Sequence, residues 1–198
     1  PATYFPGSGQ HVLVGNKYVL STDAPEVSSG KSAIYEAAPI SGDEPNVVVK
    51  LSSNVEALQR ERDNYERVTS NAAREGLFVE VHDYVEFDNP DNEDLKGQAA
   101  LIMERGEQNL QAYIQQHGPL RGKQLQDAMK SVAEIVQAVH ASKMVWTEIK
   151  GANFVVSPDD QCEKTSAATA IAPDQPYESM TIKGIDLESI VPKKENPI

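Results

Sequence analysis

Several residue types and patterns are scarce in this chain. It has one cysteine, Cys162, in 198 residues, which excludes an intrachain disulfide and a zinc site built from cysteines. No apolar run approaches the roughly 20 residues that a membrane-spanning helix needs, and the N-terminus has no signal-peptide pattern. These absences predict an intracellular, reducing compartment. Because the sequence begins at Pro1 and not at methionine, import into an organelle stays open as an alternative.

Basic residues are also in short supply. Lysine and arginine number 18 against 30 aspartates and glutamates, a net charge of −12. Binding to nucleic acid or to an anionic membrane surface needs a basic face, so this balance argues against both. An acidic surface permits a basic protein partner. A solvated acidic surface that only keeps the protein soluble explains the charge balance as well, and we favour that interpretation.

The order of the predicted elements indicates an α+β fold, in which a mostly antiparallel sheet with one helix precedes a helical part. The turn at 41–46 predicts a hairpin between the second and third strands. Predicted strands lie at 18–20, 32–37, 47–51, 79–87, 99–103 and 181–191, and predicted helices follow Ser53 and cover 110–116 and 122–142.

The first predicted helix carries a carboxylate on its apolar side. Ser53 and Glu56 form a capping box at its start. Four apolar residues at helical spacing mark its buried stripe: Val55, Leu58, Tyr65 and Val68. Glu61 falls on the same stripe, and a buried carboxylate is costly without a cation. Lys50, which ends the preceding apolar strand, is the predicted partner.

The third predicted helix, 122–142, has apolar residues recurring along one side, which predicts a second buried stripe. Its members are Leu125, Met129, Val132, Val136 and Val139.

Five segments in this order resemble the protein kinase family, and the resemblance extends from about Tyr18 to Ser189. Four are VVVK (47–50), ALIMERGEQNL (100–110), HASKMVWTEIKGANFVV (140–156) and KGIDLES (183–189), and the fifth precedes Ile34–Tyr35. The resemblance implies a two-lobed protein kinase-like fold with an antiparallel small lobe and an incomplete helical lobe. It also implies ATP and Mg²⁺ as ligands.

The small-lobe segments carry the implied nucleotide site. Lys50 matches the lysine that binds the α- and β-phosphates, and Glu61 matches the glutamate that orients it. Met103 falls at the back of the implied pocket. The backbone carbonyl of Glu104 and the backbone N–H of Gly106 would face an adenine edge.

The later segments carry the implied metal and catalytic groups. Asn153 and Asp186 match the residues that bind magnesium, and both offer the oxygen ligands that Mg²⁺ prefers. Lys150 matches the lysine of the catalytic loop. Glu148 replaces the aspartate base, and its extra methylene displaces the carboxylate by roughly 1 Å, which can cost about a hundredfold in rate.

Other positions depart further from the family pattern. Thr147 and Trp146 replace the arginine and histidine of the catalytic loop, and Glu188 replaces a glycine after Asp186. In the phosphate-covering loop, the three glycine positions are occupied by Val27, Ser29 and Ser32, and Gly30 stands at a neighbouring site. Glycines allow backbone N–H groups to approach phosphate closely, so their replacement predicts a looser cradle.

The segments divide the chain into an N-terminal arm (1–16), a small lobe (17–106) and a partial helical lobe (107–198) with an insert loop at 157–179. Since no A-P-E segment follows Asp186, we expect an apolar side of the helix at 122–142 to lack its usual cover and to invite a partner. Three functions follow as alternatives: a pseudokinase-like binding or scaffold module within a larger assembly, an active serine/threonine-type kinase seen as a fragment, or a purely structural subunit without a ligand.

Overall fold

The computed structural model describes residues 12–20, 27–29, 32–42, 47–71, 74, 76–88, 95–158 and 180–194, and these residues contain three α-helices and twelve β-strands. Three predicted features fall wholly or largely outside these residues: the arm up to residue 11, Gly30 and the insert from residue 159 to 179.

The described residues form an α+β structure with an antiparallel main sheet, which confirms the predicted class. The helices are α1 (Val55–Thr69), α2 (Leu110–His117) and α3 (Gly122–Ala141). The strands are β1 (Leu13–Val14), β2 (Tyr18–Leu20), β3 (Val27–Ser29), β4 (Ser32–Pro39), β5 (Val47–Ser52), β6 (Val81–Glu86), β7 (Ala99–Glu104), β8 (Gln108–Asn109), β9 (Met144–Trp146), β10 (Phe154–Pro158), β11 (Met180–Gly184) and β12 (Ile190–Pro192).

The chain divides into two compact units. Unit 1 comprises Pro1–Arg67 and Val79–Arg105, and unit 2 comprises Val68–Phe78 and Gly106–Ile198. Unit 1 holds a seven-stranded sheet in the order β1-β2-β4-β5-β7-β6, with β3 also pairing with β4. The predicted hairpin is confirmed, because β4 and β5 pair antiparallel with Ile34 opposite Lys50.

The sheet of unit 1 curls around an apolar core. One buried cluster is formed by residues of β1, β2, β4, β5 and β7, by Val12 just before β1 and by the segment between β6 and β7. Its members are Val12, Val14, Tyr18, Leu20, Ala33, Tyr35, Ala37, Val47, Val49, Leu51, Phe87, Leu95, Ala100 and Ile102. Gly15, between β1 and β2, lies against the side chains of Asp83 and Val85 on β6. Its φ of +59° suits glycine, and a Cβ there would approach Asp83 to 3.2 Å.

Helix α1 buries the predicted stripe, since Leu58, Tyr65 and Val68 are buried. Its predicted cap is wrong by one residue. The helix begins at Val55, and the Asn54 side chain accepts a hydrogen bond from the Ala57 N–H at 3.3 Å. Asparagine is as good an N-cap as serine, and two adjacent candidates cannot be ranked from the sequence.

Unit 2 contains α2, α3 and two small sheets, ordered β11-β10-β8 and β12-β9. The predicted buried stripe of α3 is wrong in part, because Leu125 and Met129 are 41% and 65% exposed. The buried residues are Ala128, Ile135, Ala138 and Val139, of which only Val139 belongs to the predicted stripe. Alanines at the contact allow a helix to approach its neighbours closely, which favours this side over the bulkier one.

Two glycines of unit 2 permit close packing. A Cβ on Gly106 would lie 2.5 Å from the Cβ of Val155. A Cβ on Gly184 would lie 2.9 Å from the Phe78 ring and 3.0 Å from Ile135. Gly184 also donates its N–H to the Leu77 carbonyl at 2.9 Å, which places Phe78 beside β11.

Replacing Gly106 by alanine should therefore destabilise unit 2. The added methyl overlaps Val155, and overpacking of this kind costs about 1–3 kcal/mol. Urea unfolding of Gly106→Ala measures the loss. Gly151→Ala is the matched control, since its Cβ would approach Gln111 only to 3.2 Å. Equal unfolding midpoints for the two variants would contradict the packing argument.

Candidate functional site

Lys50 and Glu61 form a buried ion pair in unit 1. Lys50 Nζ lies 2.7 Å from Glu61 Oε2, and the two residues are 8% and 1% exposed. Side chains alternate along β5, so Val49 and Leu51 enter the apolar core whereas Lys50 projects from the other face. The predicted pairing is confirmed in its geometry.

A pair this deeply buried is a poor source of stability. Removing two charges from water costs several kcal/mol for each, and their mutual attraction repays that cost only with good geometry and further hydrogen bonds. Perturbed charges buried together are more frequent at functional sites than elsewhere in proteins. The Lys50–Glu61 pair is therefore the strongest candidate for a functional group in unit 1.

The predicted adenine-facing residues lie at the end of β7 and just beyond it. Met103 is 6% exposed. Glu104 binds Glu80 twice: its backbone N–H donates to the Glu80 carbonyl at 2.8 Å, and its carboxylate accepts the Glu80 N–H at 3.0 Å. Gly106 belongs to unit 2, where contact with Val155 supplies a packing reason for glycine at this position.

The predicted phosphate-covering segment forms a hairpin in unit 1. Strands β3 and β4 pair antiparallel, with Ser29 opposite Ser32 and Val27 opposite Ile34. Serine therefore stands at the end of β3 and at the start of β4. Gly30 itself lies outside the described residues.

Asn153 joins two candidate segments of unit 2. Its backbone N–H donates to the Lys150 carbonyl at 2.9 Å, and its Oδ1 accepts the Lys150 N–H at 3.1 Å. Its carbonyl accepts the Ile185 N–H at 2.8 Å, and its Nδ2 donates to Asp186 Oδ2 at 3.3 Å. The residue is 1% exposed, so these bonds are shielded from water. The structure thus brings Lys150, Asn153 and Asp186 together.

Asp186 adopts a left-handed backbone conformation, with φ +60° and ψ +57°. Such angles are uncommon outside glycine, although aspartate tolerates them better than most residues. Backbone strain of this kind concentrates at functional sites. The observed strain makes the Asp186 carboxylate a functional candidate independently of any sequence motif.

Glu148 and Lys150 bind each other at the surface of unit 2. Lys150 Nζ donates to Glu148 Oε1 at 2.7 Å, and both side chains are exposed. The hydrogen bond that Lys150 donates to Glu148 is the main cause that raises the pKa of Lys150, and the charges of Glu148 and Asp186 add to it. Lys150 is consequently a persistent cation. The carboxylate predicted to act as a base is already engaged by it.

Sequence reasoning missed the role of Thr147. Its hydroxyl and its backbone N–H both donate to the Ser189 carbonyl, at 2.7 Å and 3.3 Å. The two residues are 42 apart in sequence, and no local pattern links them. Trp146 packs in the interior of unit 2 and is 4% exposed, with its ring centroid 5.5 Å from that of Phe154.

The residues around Asp186 fit Mg²⁺ in part. A carboxylate and a carboxamide oxygen are suitable hard ligands. However, the Asn153 group nearest Asp186 is the Nδ2 donor, which stabilises the carboxylate in place of a cation. Asn153 Oδ1 is engaged by the Lys150 N–H, although a carboxamide oxygen has a second lone pair. Asp186 is thus a ready ligand, and Asn153 becomes one if its carboxamide rotates or shares its oxygen.

Comparison with known proteins identifies no relative: no protein-family model matches this chain, and no curated protein matches it. Among the described helices, none has the length and apolar character required to cross a membrane.

Changing Lys50 to methionine should destabilise unit 1 by about 3 kcal/mol, because it leaves the Glu61 charge buried without this cation. Chemical denaturation of Lys50→Met, Glu61→Leu and the double variant gives the coupling between the two residues. We expect the double variant to be more stable than Lys50→Met alone. Additive losses would contradict a buried ion pair.

Changing Asn153 to alanine should loosen the segment after β9. Loss of the side-chain bonds to Lys150 and Asp186 costs about 1–3 kcal/mol when a buried partner is left unsatisfied. Hydrogen exchange should accelerate at the Lys150 N–H, which loses its acceptor. The Gly118 N–H, which binds Ile114 at the end of α2, is the internal control. Unchanged protection at Lys150 would show that the side-chain bond contributes nothing.

Proposed function

We propose that this chain is a pseudokinase-like binding module that holds a nucleotide with Mg²⁺ and has little or no phosphotransferase activity. The buried Lys50–Glu61 pair carries the proposal. Its contact is 2.7 Å, and burying two charges together is a poor source of stability. A lysine oriented by a glutamate is the group that binds nucleotide phosphates in the kinase family, which this chain resembles.

On this proposal, unit 1 corresponds to the small lobe of a kinase fold and unit 2 to a partial helical lobe. Lys50 contacts phosphate oxygens of ATP, and Met103, Glu104 and Gly106 are assigned to the adenine end. Asp186, assisted by Asn153, is assigned to Mg²⁺. The left-handed backbone at Asp186 and the 3.3 Å contact with Asn153 support that assignment.

The same geometry argues against efficient catalysis. The Glu148 carboxylate is paired with Lys150 at 2.7 Å, so one oxygen of the group predicted to act as the base is already engaged by a cation. The serines of the β3–β4 hairpin replace glycines that would bring backbone N–H groups close to phosphate. These features favour ligand binding over the alternative of an active serine/threonine-type kinase.

A scaffold role has its own support in unit 2. Leu125 and Met129 of α3 are 41% and 65% exposed, and they lie one turn apart on the same side of the helix. Exposed apolar residues in a row are typical of protein contact surfaces. We therefore place the nucleotide-holding module in a larger protein assembly.

ATP with Mg²⁺ should raise the unfolding temperature of the protein. A ligand at 100 times its Kd stabilises the native state by about 2.7 kcal/mol. Asp186→Asn should abolish the dependence of the shift on Mg²⁺, since the variant lacks the metal-binding carboxylate. Asp127→Asn on α3 is the matched control, because Asp127 pairs with Lys123 on the same helix and is assigned no ligand role.

Two results would contradict the proposal. Absence of any thermal shift with saturating ATP and Mg²⁺ would favour a purely structural subunit. Phosphate transfer to a peptide or to the chain itself, abolished in Lys50→Met but kept in Asp127→Asn, would favour an active kinase.

A further inference from the structure

A cavity in unit 2 involves none of the residues assigned to the nucleotide or to Mg²⁺. It has a volume of about 410 Å³ and is lined by Arg74, Leu77, Glu134, Gln137, Ala138 and Ala141. This volume falls within the range of about 300–1,000 Å³ that small-molecule sites occupy. The lining combines an apolar part, from Leu77 and the two alanines, with one cation, one carboxylate and one carboxamide.

One nitrogen of the Arg74 guanidinium is held by hydrogen bonds. Its Nη1 donates to the Ser142 Oγ at 2.5 Å and to the Val68 carbonyl at 3.4 Å. Ser142 in turn donates to the Ala138 carbonyl at 3.0 Å, so its hydroxyl is oriented to accept from Arg74. A guanidinium has five N–H donors. Among the described residues, none accepts from Nε or from the second Nη of Arg74.

Arg74 also lacks a carboxylate partner among the described residues, although acidic residues outnumber basic ones by 30 to 18 in this chain. Glu134 is the carboxylate that lines the cavity. Its Oε1 lies 3.9 Å from the Nζ of Lys130, one turn earlier on α3. Arginine binds carboxylates through paired N–H donors, and such charge-assisted bonds are roughly twice as strong as neutral ones. A held guanidinium with unused donors beside an apolar wall is complementary to a carboxylate on an aliphatic body.

We propose that this cavity binds an aliphatic monocarboxylate, either a free acid or the acidic side chain of a peptide next to an aliphatic residue. Arg74 binds the carboxylate, and Leu77, Ala138 and Ala141 contact the aliphatic part. Gln137 supplies a further polar contact, since its carboxamide makes no hydrogen bond with the described residues. Glu134 repels ligands of higher negative charge, so inorganic phosphate is a weaker ligand of this site.

Two-dimensional amide NMR of the full chain tests the proposal with isocaproate as the probe. Isocaproate should shift the amide signals of Leu77, Ala138 and Ala141 saturably, whereas neutral isocaproamide and inorganic phosphate should not. Arg74→Gln should raise the Kd for isocaproate by about tenfold or more. Arg121→Gln, which removes an equal charge from the start of α3 away from the cavity lining, should leave the Kd unchanged.

Two further variants keep Arg74 and its contacts intact, in case Arg74→Gln perturbs the fold. Ala141→Leu places a larger side chain in the cavity from an exposed helix position, so it should weaken binding. Glu134→Gln removes the repelling charge, so it should lower the Kd by about two- to fivefold. A blocked leucyl-glutamate dipeptide, with leucyl-glutamine as its neutral counterpart, tests the peptide source.

The site is supported whichever of isocaproate and the acidic dipeptide has the lower Kd. The ligand with the lower Kd identifies the source of the carboxylate. Equal binding of isocaproate and isocaproamide would overturn the assignment of Arg74. Binding of phosphate as tightly as isocaproate, binding that survives both Arg74→Gln and Ala141→Leu, or failure of both carboxylates to bind would overturn the proposal.

Discussion

A lysine and a glutamate that must be buried together constrain the architecture of unit 1. The alternation of β5 sends Val49 and Leu51 into the curled sheet and leaves Lys50 on the opposite face. Helix α1 must therefore place Glu61 directly beside Lys50, because Glu61 Oε2 lies 2.7 Å from Lys50 Nζ. A shift of α1 by one residue would turn Glu61 through about 100° and leave a charge buried without its partner. The pair therefore specifies the register of the helix more than it strengthens the fold.

Much of unit 1 could be predicted because its signals are local and periodic. The apolar stripe of α1, the carboxylate on that stripe and the β4–β5 hairpin all follow from spacing within short windows. Prediction failed where two neighbouring solutions are nearly equivalent. Ser53 and Asn54 are comparable caps, and α3 has two adjacent apolar sides. The choice between those sides depends on how closely strands approach the helix, which a sequence does not specify.

For unit 2, sequence reasoning could name the important polar residues but not the contacts that they make. Asn153 and Asp186 could be proposed from the sequence, but two of the four hydrogen bonds of Asn153, those with Ile185 and Asp186, join segments separated by about 30 residues. The anchoring of Thr147 to Ser189 has the same long-range character. These contacts hold the segment between β9 and β10 in a defined conformation. A binding site arranged in advance loses less conformational entropy when its ligand arrives.

The backbone of Asp186 bears on how this position would change over generations. At φ +60° and ψ +57°, glycine would relieve a strain of about 1 kcal/mol. The same replacement would remove the acceptor of the hydrogen bond from the buried Asn153 Nδ2, and an unsatisfied buried donor costs about 1–3 kcal/mol. The strain relieved at the backbone is therefore offset by the side-chain contact that is lost. Stability alone does not favour glycine at this turn.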